Sequence, residues 1–465
     1  MTKPVLTGLA LATGLLLSGC ASLAPAVPAA NPQLAADWPI PAATHGGDTA
    51  VADIGWRDFF TDPRLESLIE QALTNNRDLR VALLNVEKAR AQYRIERADR
   101  LPSVAASGGL ERGRLTTTNG VTDQYSASLG IAEFELDLFG RVRNLSEASL
   151  NQYLAQEEAR RAAQLSLVAE VANAYLTLAA DRRLVQLAED TFDNRQRALE
   201  LSERRHQLGA VSGLDLSQAQ TSVETARADL AGFRGQVAQD INALTLLVGA
   251  PIAPELLPEE VAFEVSGLQP LPAGLPSEVL LRRPDVQQAE YALQAASANI
   301  GAARAAFFPS IRLTGSIGTA SSELDSLFDG GTRIWSFMPQ LSLPIFQGGG
   351  LRAALGMARA ERDIALADYE NAIQSGFREV ADALVLTGSL AEQQASQQAL
   401  VAAAGRAEQL SRARYDAGRD SYLVLLDAER TLYQAEQALI NTRLAEQSNR
   451  VNLYKALGGG WQAVD

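Results

Sequence analysis

Apolar positions along the chain recur with two periods, seven and two, and each period marks a different kind of element. Leu216, Val223, Leu230, Val237 and Leu244 fall seven apart, and Leu425, Leu432, Leu439 and Leu453 keep the same phase, the last two separated by two heptads. Ala219, Ala226, Ala428 and Ala435 follow three places after four of these positions. A heptad seam containing small residues lets helices approach closely, so both segments are predicted as coiled-coil arms. Period two governs a second pattern. Ile311, Leu313, Gly315, Ile317 and Thr319 alternate with Ser310, Arg312, Thr314 and Ser316, and Trp335, Phe337, Pro339, Leu341, Leu343 and Ile345 occupy every second position. These are predicted strands, joined by a loop containing Asp329-Gly330-Gly331. Earlier, 103–112 and 124–138 form a matching pair around Thr118-Asn119-Gly120. Tyr125, Ala127, Leu129 and Ile131 stay in phase, and then the alternation switches to Phe134, Leu136 and Leu138, which predicts a bulge or a departure from the sheet.

The two strand pairs belong to two related halves. Asp78, Pro102, Ser103, Leu136 and Phe139 recur 207 residues later as Asp285, Pro309, Ser310, Leu343 and Phe346. Past a two-residue insertion in Gln347-Gly348-Gly349-Gly350 the offset becomes 209, pairing Glu170-Val171-Ala172 with Glu379-Val380-Ala381, Gly209 with Gly418 and Gly249 with Gly458. A period this long is a duplication of domain-sized segments rather than a solenoid unit. In both halves a proline-free stretch, 141–250 and 345–465, is rich in Ala, Leu, Gln, Glu and Arg, all strong helix formers. Each stretch is broken once, at Leu208-Gly209-Ala210-Val211-Ser212-Gly213 and at Ala417-Gly418-Arg419-Asp420-Ser421. Glycine permits a helix stop there and Ser or Asp a new start, so each stretch reads as a helical hairpin. The arm from Arg141 to Leu208 would extend about 100 Å at about 1.5 Å per residue, longer than a globular core.

The N-terminus adds a location. Lys3 precedes an apolar run from Val5 to Leu17, too short to span a bilayer permanently but suited to a signal peptide. The run ends in Leu17-Ser18-Gly19-Cys20, which resembles a bacterial lipobox and holds the chain's single cysteine. That resemblance implies a diacylglycerol thioether and an N-acyl chain on Cys20. Residues 21–55, with Pro25, Pro28, Pro32, Pro39 and Pro41 among alanines, read as an extended tether. The expected organisation is a signal peptide at 1–19, a lipidated tether at 20–60, a first repeat at 61–250, a proline-rich linker at 251–283, a second repeat at 284–458 and a tail at 459–465. Helix starts are expected at Asp62-Pro63 and at Arg283-Pro284-Asp285.

Composition removes several chemistries. A net charge of −14 opposes binding to nucleic-acid phosphates. One cysteine and two histidines, His45 and His206, leave no zinc cluster and no disulfide. No constellation of acids separates an acid/base pair from helix-surface charges, so an enzyme is not expected. Four alternating strands have the signature of a membrane β-barrel, yet a barrel needs about eight. A sheet cannot leave unpaired edges in hydrocarbon, so copies of the chain are expected to close it together.

The chain resembles the bacterial outer membrane factors, the TolC-like channels of tripartite efflux systems, in their NodT-like lipoprotein branch. The resemblance rests on Phe134-Glu135-Leu136-Asp137-Leu138-Phe139-Gly140-Arg141, Leu281-Arg282-Arg283-Pro284-Asp285-Val286, Phe307-Phe308-Pro309-Ser310-Ile311, Leu341-Ser342-Leu343-Pro344-Ile345-Phe346 and the ending Leu453 to Trp461, in this order. It implies an α+β membrane protein: a homotrimer whose 12-stranded outer-membrane β-barrel continues into a 12-helix periplasmic α-barrel. The implied partners are a periplasmic adaptor, an inner-membrane pump of the resistance-nodulation-division class and outer-membrane lipid. A protein-secretion conduit and a structural envelope-spanning lipoprotein are the alternatives. The resemblance further implies that Asp215 and Asp427 form acidic selectivity rings at the hairpin tips, against the plain reading of solvated helix-start acids. It makes Tyr415, Arg419 and Asp420 the gate latch, and Gly209, Val211, Gly213 and Gly418 the tip surface that meets the adaptor.

Overall fold

A computed structural model describes residues 22–33, 55–114, 121–258 and 277–459. Two short helices, α1 (Trp56–Phe59) and α2 (Pro63–Asn75), lead into α3 (Arg77–Ala98), the strands β1 (Val104–Arg114) and β2 (Val121–Leu136), and the hairpin arms α4 (Arg141–Gln207) and α5 (Gly213–Val248). The second half repeats the order with α6 (Pro284–Ala305), β3 (Ser310–Ser321), β4 (Arg333–Ser342), α7 (Gly350–Asp416) and α8 (Tyr422–Ala456). Both outgoing arms hold 67 residues. The chain divides into two compact units that cut across the repeats. One holds the described part of Met1–Asn31 with Leu84–Glu158 and Gln287–Ala372, and the other Pro32–Leu83, Ala159–Val286 and Ile373–Asp465.

The first unit carries a four-stranded antiparallel sheet in the order β1-β2-β3-β4. Its register puts Val104, Ile131, Gly315 and Phe337 in one row and Leu129, Ile317 and Trp335 in the neighbouring row of the same face. On the opposite face Ser107 bonds Ser128 at 2.9 Å and Ser316 bonds Ser336 at 2.8 Å. One face is therefore apolar and the other polar. Between Ile131 and Phe134 the register shifts, with Glu133 at φ 53°, which is the bulge expected from the switch in alternation. The last strand is shorter than expected: it stops at Ser342, and Leu343 and Ile345 lie beyond it, because Pro344 has no N–H for a ladder. Against this unit lies an extended strap, residues 22–31. Ser22 donates to the Asn144 side chain (2.8 Å), Arg304 donates to the Leu23 carbonyl (2.9 Å), and the Asn31 N–H reaches Glu370 (2.9 Å).

The second unit contains the main core. Asp62 caps α2 by accepting from the Arg64 N–H at 2.8 Å, with Pro63 at the first helical position. Its second oxygen accepts from the Tyr175 hydroxyl at 2.7 Å. The tether expected through residue 60 ends earlier, since Trp56, Phe59 and Phe60 are buried among Leu65, Leu68 and Tyr454. Phe59 stacks on Tyr454 with ring centroids 3.8 Å apart, an apolar gain that an extended tether cannot make. The heptad positions face inward as their period requires: Val223, Leu230, Leu244, Leu425 and Leu453 are buried, with Ala219, Ala226 and Ala435 between them. Arg283, buried ahead of α6, donates to Asp285 (2.7 Å), Glu379 (2.8 Å) and the Ala456 carbonyl (2.7 Å). It thereby ties three distant stretches together. Gln236 donates to Asp240 at 3.0 Å, and burial followed by a hydrogen bond to Asp240 pushes the Asp181 carboxyl up to about 7.

Candidate functional site

The two hairpin tips are built by the same local physics. At the end of α4 the Gly209 N–H bonds the His206 carbonyl (2.9 Å) and the Ala210 N–H reaches back to Arg205 (2.8 Å). At the end of α7 the Gly418 N–H bonds Tyr415 (2.9 Å) and the Arg419 N–H reaches Arg414 (2.9 Å). Both glycines sit in the left-handed region, φ +72° and +69°, where a side chain would be strained. Gly209, Gly213 and Gly418 are exposed and Val211 is half-buried, with Leu208 and Leu214 exposed beside them.

The new starts differ. Ser212 accepts from the Asp215 N–H (3.1 Å) while the Asp215 carboxylate receives the Ser212 N–H (3.2 Å) and hydroxyl (2.8 Å), a reciprocal capping box. Ser421 opens α8 without a side-chain cap bond. The 209-residue offset sets Asp215 opposite Val424, and Asp427 opposite Gln218. Asp427 is thus three residues deeper into its helix, about 4.5 Å along the axis, and it is exposed. The two acids occupy different levels of the tip.

The three latch candidates have separate surroundings. Tyr415 is buried with Tyr422, Leu425, Leu426 and Ala219, its ring 5.7 Å from that of Tyr422 and 5.1 Å from the Arg205 guanidinium. Asp420 accepts from Arg414 Nε and Nη2, at 2.6 and 2.8 Å, and this cation holds its carboxyl below the usual range. Arg419 is exposed. Just above, Arg412 bonds Glu408 on its own helix and Glu429 on α8 (2.8 Å). Burial raises the Glu429 carboxyl, against the pull of Arg412, and pushes the Tyr422 hydroxyl up to about 12. Sequence reasoning missed Arg414, the direct partner of Asp420. It also missed Arg195, which is buried and donates to the Ser222 carbonyl (3.2 Å) beneath Tyr433. The six-residue separation of Arg414 and Asp420 across a glycine turn was the available signal for the first. Cys20 lies outside the described residues.

The family model for outer membrane efflux proteins matches residues 68–250 and 275–459. The toluene efflux pump outer membrane protein TtgC of Pseudomonas putida is 48% identical over 99% of this chain and 96% of its own length. The outer membrane protein OprJ of Pseudomonas aeruginosa is 44% identical over 99% of this chain and 97% of its own. Among solved structures, the open state of the Neisseria gonorrhoeae MtrE outer membrane channel superposes with a TM-score of 0.87 at 40% identity, covering 95% of this chain and 99% of that one. A structure of CusC, whose study concerns folding and transmembrane channel formation, gives 0.85 at 42% identity over 95% and 100% of the two chains.

Proposed function

This chain belongs to the outer membrane efflux protein family, and we infer from its open sheet and capped hairpins how it works there as a passive, gated exit duct. It is an outer-membrane channel of an efflux pump that extends into the periplasm, and it catalyses no covalent chemistry. The observation that carries the duct reading is the four-stranded sheet with one apolar face and two edges, β1 and β4, that find no partner strand among the described residues. Hydrocarbon does not tolerate unpaired N–H and C=O groups, and four strands fall short of the roughly eight that close a barrel. Copies must therefore join β1 of one chain to β4 of the next. Three copies give twelve strands, the homotrimer implied by the family resemblance. No described helix is long and apolar enough to cross a membrane.

The remaining roles extend this reading. Cys20 carries the thioether-linked diacylglycerol and N-acyl chain that supplement the barrel as an anchor. Gly209, Val211, Gly213 and Gly418 form the surface that meets a periplasmic adaptor, through which an inner-membrane pump of the resistance-nodulation-division class delivers substrate and energy. Asp215 and Asp427 act as two acidic levels that attract cations and resist anions. Tyr415, Arg419 and Asp420 hold the closed tip, Asp420 through its exchangeable pair with Arg414. Adaptor binding opens the aperture to the extent that it contacts the dilated tip better than the closed one.

Cysteines placed on the two sheet edges test the duct directly. With Gly109→Cys and Ser336→Cys in separate copies on a Cys20-containing background, oxidation should yield dimers linked between β1 and β4, scanned over neighbouring registers. Failure to link any β1 position to any β4 position would contradict the closed barrel.

A further inference from the structure

On the apolar face of the sheet, Gly315 interrupts a row of large side chains. Its register neighbours are Ile131 on one side and Phe337 on the other, with Val104 completing the row. The rows above and below contribute Ile317 and Leu313 with Phe134. A groove of about 510 Å³ lies over this part of the face, lined by these residues and by Gly315 itself. A glycine is not demanded there by crowding. A Cβ on Gly315 would meet the Ser336 carbonyl at 3.5 Å and the Phe337 ring at 3.7 Å, ordinary contacts. By contrast, a Cβ on Gly318 would come within 2.2 Å of the Ala127 carbonyl.

The strap points to what fills it. Its Ser22 end is bound to Asn144, four residues after Gly140, and Leu23 to Arg304, one residue before the end of α6, so this end lies where helices meet strands. Asn31, nine residues on, bonds Glu370 twenty residues into α7, so the strap leads away from the sheet towards its C-terminal side. Gly301 makes room for it, since a Cβ there would lie 2.8 Å from the Ala24 nitrogen. Cys20 is two residues before Ser22, a reach of at most about 7 Å. The groove row at Gly315 is five residues above the first residue of β3, about 17 Å at about 3.3 Å per residue. An acyl chain spans half of the roughly 30 Å hydrocarbon core, about 15 Å. The two-residue link and the acyl chain together, about 22 Å, exceed the rise of about 17 Å from the first residue of β3 to the groove row.

We propose that the groove around Gly315 is the berth for an acyl chain of the lipid attached to Cys20, positioned there by the strap bound to Asn144 and Arg304. The inference rests on the lipidation of Cys20 proposed above. A tethered chain outcompetes free lipid because its effective concentration beside the groove is set by a two-residue link. Its occupancy makes one apolar surface from the two anchors, barrel and lipid.

The test uses the full-length protein from cells fed a diazirine fatty acid, purified from the outer membrane, weighed intact and irradiated. The intact mass decides whether Cys20 carries the lipid, and a bare cysteine sinks the lipidation reading and the berth with it. With the lipid present, crosslinks should concentrate at Val104, Ile131 and Phe337. Gly315→Leu should cut them about tenfold, the cost of losing contact to about two buried methylenes. Gly315→Ala, the milder change, should cut them less while leaving assembly intact. Crosslinks from the Cys20 lipid scattered evenly around the barrel would overturn the berth while leaving lipidation standing. So would equal labelling of the groove by a photoreactive phospholipid supplied in nanodiscs to the unlabelled wild type.

Discussion

Replacing Arg283 by alanine leaves Asp285 and Glu379 without their shared cation and the Ala456 carbonyl without its donor. Breaking a buried pair costs about 3–5 kcal/mol, and because both acids keep contact with water the loss should fall near the lower figure. Chemical unfolding of Arg283→Ala beside wild type measures it, and an unchanged midpoint would deny the clamp. The Arg-Pro-Asp sequence announced a helix start, and α6 begins there. It did not announce the clamp, because the other two partners lie 96 and 173 residues away and are joined only by packing. The tip acids show the same limit: their residue type was legible, whereas the hydrogen bonds that occupy Asp215 and leave Asp427 exposed required coordinates. If both line the aperture, Asp215→Asn and Asp427→Asn should each move the cation-to-anion permeability ratio towards one, and the double variant further still. Reversal potentials in a salt gradient give the ratio, and no change in the double variant would remove both from the pore.

Two equivalent helix starts make a controlled comparison of elements. Ser212→Ala breaks the capping box and should cost about 1 kcal/mol, while Ser421→Ala removes no side-chain bond and should cost a few tenths. Amide exchange at the first turns of α5 and α8 reads the difference, and equal effects would show that the box contributes nothing. Along the same hairpin, Asp181 supplies a dependence on pH. Its carboxyl ordinarily titrates near 3.8 and is pushed up to about 7 by burial and its bond to Asp240. The folded chain therefore keeps a proton that the unfolded chain releases between about pH 4 and pH 7, so this group's contribution falls as pH rises through that window and then levels. Asp181→Asn should flatten the slope and stabilise the protein at pH 8 by about 1 kcal/mol, a figure already reduced for its half-exposed position. Melting curves from pH 4 to 8 check it, and a slope unchanged by the substitution would exclude the pair. The elements themselves were the most legible level. Period seven placed the arms, period two placed the strands, and a broken alternation located the bulge within a few residues. The misjudged ends, at Ser342 and at Trp56, are where a proline or a distant aromatic partner overrides the local pattern.

For the whole molecule, the repeat was visible as two constant offsets, but the compact units were not, since each gathers segments from both halves. Long helices that pass from one unit to the other leave no composition shift at the boundary. The strap was likewise illegible: proline and alanine at 21–33 signal an extended chain, and only the positions of Asn144, Arg304 and Glu370 turn it into a bound one. The free sheet edges, in contrast, follow from counting strands in the sequence, and they lead to an assembly whose centre is a pore. Planar-bilayer conductance of the purified full-length protein tests that centre most directly. The account predicts a small, cation-preferring conductance that rises when Tyr415→Ala and Asp420→Asn loosen the tip. Absence of conductance in both wild type and the double variant would contradict a gated duct.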